Sequence, residues 1–197
     1  VGMVLSAAAV QYRRPIWNDQ PCVVGISIEA DSLSGVVTDI TNEFQIPVLV
    51  CRGGVSKTKS REFAQLLDTG GSRPIHVYHF GDYDPSGVMI AETVRRHMEQ
   101  HLAVPSCLTL GIEALNREQV EAWGLPRQPP KKSDTRSKSW NGGGTCQLEA
   151  IPPGQLRQMV RDVCERHVDD VILRATRRQE SAERDELLDI ARRFDAA

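Results

Sequence analysis

Short apolar runs alternate with helix-length segments along most of this chain, and that alternation limits the folds open to it. Apolar runs at 23–28, 47–51, 75–80 and 107–110 are each bounded by turn residues. Between them, Leu33, Val36, Val37 and Ile40 share one helical face, started by Asp31 or Ser32 and running to about Phe44. Further helices are expected at about 60–67 and 88–102, and a short one capped by Asn116 runs to Trp123. Strands spaced by helices argue for βαβ units and a mostly parallel sheet with helices on both faces. In such sheets ligands gather beyond the carboxyl ends of the strands.

The flanks read differently. Residues 1–20 form an Ala-rich helical lead-in, and 21–152 form the α/β domain, with a fifth strand expected at 146–151. Residues 125–144 combine three prolines, Lys131, Lys132, Arg136, Lys138 and three glycines, which reads as a basic, flexible loop. From Pro153, apolar residues recur at three- and four-residue steps from Leu156 to Ile172, so 153–197 reads as a helical extension. The chain opens on Val1 rather than Met, which leaves open a segment before it.

Charge and cysteine usage exclude several classes. With 24 Lys plus Arg against 26 Asp plus Glu, the formal charge is −2. A generally basic nucleic-acid coat is excluded, although a local basic groove is not. No apolar run approaches the roughly 18 residues of a membrane span. Five cysteines without a CxxC pair argue against a zinc ribbon or a disulfide scaffold. They read as small core residues in a protein of the reducing cytoplasm.

The sharpest chemical signal is His79-Phe80-Gly81-Asp82-Tyr83-Asp84-Pro85-Ser86-Gly87. An apolar strand runs into two carboxylates two positions apart, which an extended turn aims to one side. Pro85 suits a helix start, and Gly87 permits close packing. Crowded carboxylates are most comfortable sharing a hard cation such as Mg²⁺ (or Mn²⁺), which takes oxygen ligands and keeps several waters. The plain alternative is a turn in which Asp82 or Asp84 caps a helix. Glu29 ends the first strand at the same sheet edge. If the two strands are neighbours, Glu29, Asp82 and Asp84 converge on one crevice.

A strand ending in Glu followed by a later strand ending in Asp-x-Asp resembles the Toprim pattern. The detail is most similar to the topoisomerase VI A subunit and the related meiotic double-strand-break proteins. Their Gly-Asp-x-Asp-Pro-x-Gly resembles Gly81 to Gly87, and Glu29-Ala30-Asp31-Ser32-Leu33 resembles the segment after their strand glutamate. Cys51-Arg52-Gly53-Gly54 resembles their Gly-rich turn, and Gln147-Leu148-Glu149-Ala150-Ile151 resembles the last strand of the domain. The order matches from about residue 20 to 170. Two departures stand out. Ala30 occupies the place of a common Lys, and the family's nucleophilic Tyr lies in a winged-helix domain that has no counterpart here.

The resemblance implies a Toprim, Rossmann-like α/β fold with a helical C-terminal extension. It implies Mg²⁺-dependent DNA strand cleavage or transesterification, with Glu29, Asp82 and Asp84 as metal ligands and catalytic groups. It further implies a homodimer, a separate or upstream winged-helix domain, and a nucleoid-associated location in the cytoplasm. Arg52, Lys57 and Lys59 follow the second strand and are candidate contacts to DNA phosphates, as are Lys131, Lys132, Arg136 and Lys138 in the loop. Two rival readings are a stand-alone nuclease of the OLD type and a non-catalytic DNA-binding or dimerisation module. Residues 53–58 lack the glycines of a P-loop, and His97-Met98-Glu99-Gln100-His101 lacks the Glu a metalloprotease needs after the first His, so it reads as helix surface. His167, within the apolar stripe, reads as a satisfied core residue.

Overall fold

The structure is a computed structural model that describes residues 2–130 and 135–195. Its elements in chain order are α1 (Gly2–Gln11), β1 (Val23–Ile28), α2 (Asp31–Glu43), β2 (Val48–Val50), α3 (Lys57–Leu67), β3 (Ile75–Phe80), α4 (Pro85–Glu99), β4 (Leu108–Ala114), α5 (Arg117–Ala122), α6 (Pro153–Arg166) and α7 (Asp170–Asp195). They form two compact units: 21–167, and the pair of segments 1–20 and 168–197.

In the larger unit, four parallel strands form one sheet in the order β2-β1-β3-β4. The chain leaves β1 for β2 on one side and then crosses back to β3 on the other. Right-handed crossovers in opposite directions set α2 and α3 on opposite faces. α2 packs with α6, and α3 packs with α4. Every residue of β1 is buried, as expected for a central strand covered on both faces. The fold is therefore α/β with an all-parallel sheet flanked by helices, and a helix ends the chain.

Local chemistry explains the boundaries. Asp84 caps α4 by accepting from the Gly87 N–H at 2.7 Å, and Pro85 occupies the first turn, where its missing N–H costs nothing. Ser56 caps α3, which starts earlier than the apolar pattern indicates. Asn116 and Gln119 form a capping box that starts α5. α2 differs from expectation: Ala30 is its N-cap and supplies no side-chain bond.

The expected fifth strand does not form. Cys146 makes only an isolated antiparallel bridge to Tyr83, and 148–150 is a single 3-10 turn. The Asp82 carboxylate takes the Leu148 N–H at 2.8 Å, which turns the chain away from the sheet edge. The continuous helical stripe is also broken. α6 ends at Arg166 within the α/β unit, α7 begins at Asp170, and Asp169 Oδ1 accepts from the Val171 and Ile172 N–H groups. In the smaller unit α1 and α7 pack together. The Tyr12 hydroxyl donates to Glu183 at 2.5 Å, and Arg14 also pairs with Glu183.

Gly25 and Gly35 test this packing in opposite senses. A Cβ on Gly25 would stand 2.6 Å from both Phe63 and Leu67 of α3, while one on Gly35 in α2 meets nothing within 4 Å. Gly25→Ala is expected to destabilise the fold by about 1–3 kcal/mol. Gly35→Ala is expected to stabilise it by about 0.5–1 kcal/mol. Urea unfolding of the two variants beside the parent measures both.

Candidate functional site

β1 and β3 are hydrogen-bonded neighbours with Ile28 opposite Phe80, and the Glu29 N–H donates to the Phe80 carbonyl at 2.9 Å. Glu29 and the Asp82 turn therefore stand together at the carboxyl edge. This is also where the strand order reverses, the usual ligand position in an open α/β sheet.

The turn is held from several sides. Gly81 exchanges backbone hydrogen bonds with Ala114 and Leu115 at the end of β4, and Tyr83 exchanges them with Cys146. The Asp82 N–H donates to Glu29 Oε2 at 3.2 Å. Two glycines are required by space. A Cβ on Gly81 would lie 2.5 Å from His79 Nε2 and 3.1 Å from Glu29 Oε2, and one on Gly87 would lie 2.2 Å from the Asp82 carbonyl oxygen.

Burial pushes the Glu29 carboxyl up to about 7, and the Asp82 charge adds to the rise. The Asp82 N–H opposes it, while Asp84 and Glu149 raise it further. Among the described residues no Lys or Arg pairs with Glu29. An acid crowded by acids and lacking a cationic side chain is the electrostatic setting a divalent cation relieves. All the donors are carboxylate oxygens, which fits Mg²⁺ or Mn²⁺. Mg²⁺ commonly takes one or two carboxylates and keeps its waters, so Glu29 and Asp82 are the residues that could hold such an ion.

The three acids do not gather into one compact ligand cluster. Among the described residues no group that includes them brings one ligand atom from each within 4.8 Å. The reason is local: the Asp84 carboxylate is drawn to the first turn of α4. Asp84 Oδ1 thus caps α4, and Asp82 Oδ1 is engaged in the same way by the Leu148 N–H.

The basic candidates fall into two groups. Arg52, Lys57 and Lys59 follow β2 at the same sheet edge, with Arg52 exposed and bonded to Asp31 at 3.2 Å. Arg136 lies against the start of α4, donating to Ser86 Oγ at 3.1 Å and touching the Met89 sulfur. Lys138 is exposed in a short 3-10 turn. Lys131 and Lys132 lie outside the described residues.

Two further residues border the crevice. His79 is 1 % exposed, its Nδ1 is 2.9 Å from Ser27 Oγ, and its Nε2 has no hydrogen-bond partner. Burial holds it down to about 4, so it stays neutral beneath Gly81. Glu149 accepts from Ser32 at 2.9 Å and lines a cleft of about 260 Å³ with Gln128, Thr145 and Gln147. His79 reads from sequence as an ordinary strand residue, and only the glycine after Phe80 hints at close approach. His97 is buried in α4 rather than on its surface.

Each of the three tyrosine hydroxyls has a partner. Tyr12 is engaged with Glu183, Tyr78 with His167, and Tyr83 is buried against Trp140 with its hydroxyl on the Gly142 carbonyl. No described helix is long and apolar enough to cross a membrane. Comparison with protein-family models, with curated proteins and with solved structures gives no match for this chain.

Gly87→Ala tests the construction of the site. The added methyl must displace the Asp82 carbonyl, so stability is expected to fall by about 1–3 kcal/mol. Mn²⁺ affinity, followed by water-proton relaxation, is expected to weaken with it. Unchanged stability and unchanged Mn²⁺ binding would contradict the close approach.

Proposed function

We propose that this chain carries out metal-dependent phosphodiester chemistry on DNA, with Glu29 and Asp82 holding Mg²⁺. The observation that carries the reading is the meeting of Glu29 with the Asp82 turn at the β1–β3 edge, where the Asp82 N–H donates to Glu29 Oε2 at 3.2 Å and the Asp82 charge helps raise the Glu29 carboxyl. The Toprim-like order of motifs supports it, and so does the placement of Arg52, Lys57 and Lys59 at the same edge.

When bound, Mg²⁺ neutralises phosphate charge and stabilises a leaving oxygen. The chain's own groups have separate tasks. Asp82 is oriented by the Leu148 N–H, and its own N–H orients Glu29. Asp84 fixes the start of α4 and thereby the turn that carries Asp82. Where Asp82 alone holds the ion, Glu29, whose carboxyl burial raises to about 7, suits proton transfer to or from the reacting oxygen. The basic side chains after β2, with Arg136 and Lys138, position the DNA backbone.

A hydrolytic reading, in which water is the nucleophile, is favoured by the engagement of both tyrosines of the α/β unit, Tyr78 with His167 and Tyr83 with the Gly142 carbonyl. The transesterifying reading, as the metal-binding part of a topoisomerase VI A-like protein, requires a tyrosine from another domain or chain. Supercoiled plasmid with Mg²⁺ or Mn²⁺ separates them. Free-ended nicks support hydrolysis, and DNA covalently attached to an added tyrosine-bearing partner supports transesterification. In either case Asp82→Asn and Glu29→Gln are expected to lower the metal-dependent rate at least about a hundredfold with the fold intact. A fully active Asp82→Asn chain contradicts the proposal.

DNA affinity is expected to fall steeply with salt. About four phosphate contacts give a slope of log K against log salt near −3.6. An affinity insensitive to ionic strength would remove the basic residues from the reading.

A further inference from the structure

A second group of metal-binding side chains lies at the opposite edge of the same sheet. Cys22 immediately precedes β1, His76 is the second residue of β3, and His167 caps the carboxyl end of α6. One potential ligand atom from each lies within 4.8 Å of the others. It is the one such group among the described residues, and all three belong to the α/β unit. Strand pairing explains the approach of the first two: Val24 stands opposite His76, so Cys22 enters the sheet just beyond it. At roughly 3.3 Å per residue along β1, the group is about 20 Å from Glu29.

We infer that Cys22, His76 and His167 form a binding site for a thiophilic divalent transition-metal ion such as Zn²⁺. One sulfur and two imidazole nitrogens make a donor set that favours Zn²⁺ over Mg²⁺. Three protein ligands leave a fourth tetrahedral position for water or a further ligand. Cys22 is buried and both histidines are half-buried, so the group is largely screened from water.

The surroundings supply the outer partners that a metal-ligating histidine needs. His167 Nε2 lies 2.5 Å from the Tyr78 hydroxyl, so ligation through Nδ1 keeps that contact and fixes the ring. Tyr78 is held in turn by the Arg166 guanidinium, whose centre is 5.0 Å from its ring, and Arg166 pairs with Glu113 through two bonds of 2.7 and 3.0 Å. The two imidazoles stack with centroids 4.3 Å apart and planes 9° from parallel. Parallel rings aim their in-plane lone pairs side by side, so ion binding tilts the rings toward a common point. Binding forms a sulfur–metal bond and releases the Cys22 thiol proton to solvent. The ion then ties the entry of β1, the start of β3 and the end of α6 into one clamp.

The test uses the full chain, stripped with a chelator and titrated with Co²⁺ as a spectroscopic stand-in, then with Zn²⁺. One equivalent of Co²⁺ is expected to give tetrahedral visible bands and a thiolate-to-cobalt charge-transfer band, both abolished by one equivalent of Zn²⁺. Cys22→Ser is expected to remove the charge-transfer band and to weaken Zn²⁺ binding at least a hundredfold. Tyr78→Phe, which keeps all three ligands, is expected to weaken it about tenfold. Asp82→Asn is expected to leave it unchanged, which keeps the test separate from the acidic crevice. Far-UV circular dichroism checks that each variant folds. A charge-transfer band that survives in folded Cys22→Ser assigns the metal to another cysteine and overturns the inference. So does the absence of any stoichiometric Co²⁺ or Zn²⁺ binding, which leaves the histidines as a stacked pair only.

Discussion

Parallel pairing of β1 with β3 runs from Val23 opposite Ile75 to Ile28 opposite Phe80, and both ends of the sheet depend on it. At the carboxyl end the pairing delivers Glu29 beside the Asp82 turn. At the amino end it delivers Cys22 beside His76. Neither pair is adjacent in sequence. β1 is buried on both faces, so fit rather than a single apolar face holds its register: Gly25 stands where Phe63 and Leu67 approach too closely for any Cβ. The residues that serve the core thus decide where the chemistry falls.

The carboxyl edge holds unfavourable charge that the fold tolerates because surrounding contacts fix the turn. Gly81 is tied to the end of β4, Tyr83 to Cys146, and Asp82 to the Leu148 N–H. Gly81 and Gly87 let the backbone pass where no side chain fits. The outcome is an acid near neutrality on a rigid element, the kind of strained electrostatics that concentrates at functional sites. Asp84 contributes differently, through the helix start that orients the turn.

Much of this was legible in the sequence where a local rule decides the outcome. β1 and β3 have the bounds that their apolar runs indicate, and Asn116 starts a helix as its capping chemistry requires. The acids could be placed at the carboxyl edge because Glu29 directly follows one apolar run and Asp82 and Asp84 lie in the turn that ends another. Legibility failed where distant backbone groups compete. The 146–151 segment has the look of a strand, yet Asp82 and Tyr83 capture its polar groups and leave it irregular. The division of labour between Asp82 and Asp84 depends on which carboxylate reaches which N–H, and spacing alone does not reveal that. The Cys22, His76 and His167 group spans most of the chain with no motif spacing, so only the folded register reveals it. Taken singly, Cys22 and His167 read as core, and His76 falls inside a strand run without any signal of its own.

The central claim is that Glu29 and Asp82 hold a divalent cation, and the most direct measurement is an anomalous difference map from crystals equilibrated with Mn²⁺. The account predicts a strong peak between the two carboxylates at the β1–β3 edge, absent in Asp82→Asn crystals treated alike. A crevice without a peak at saturating Mn²⁺, or a peak that persists in the variant, would contradict it.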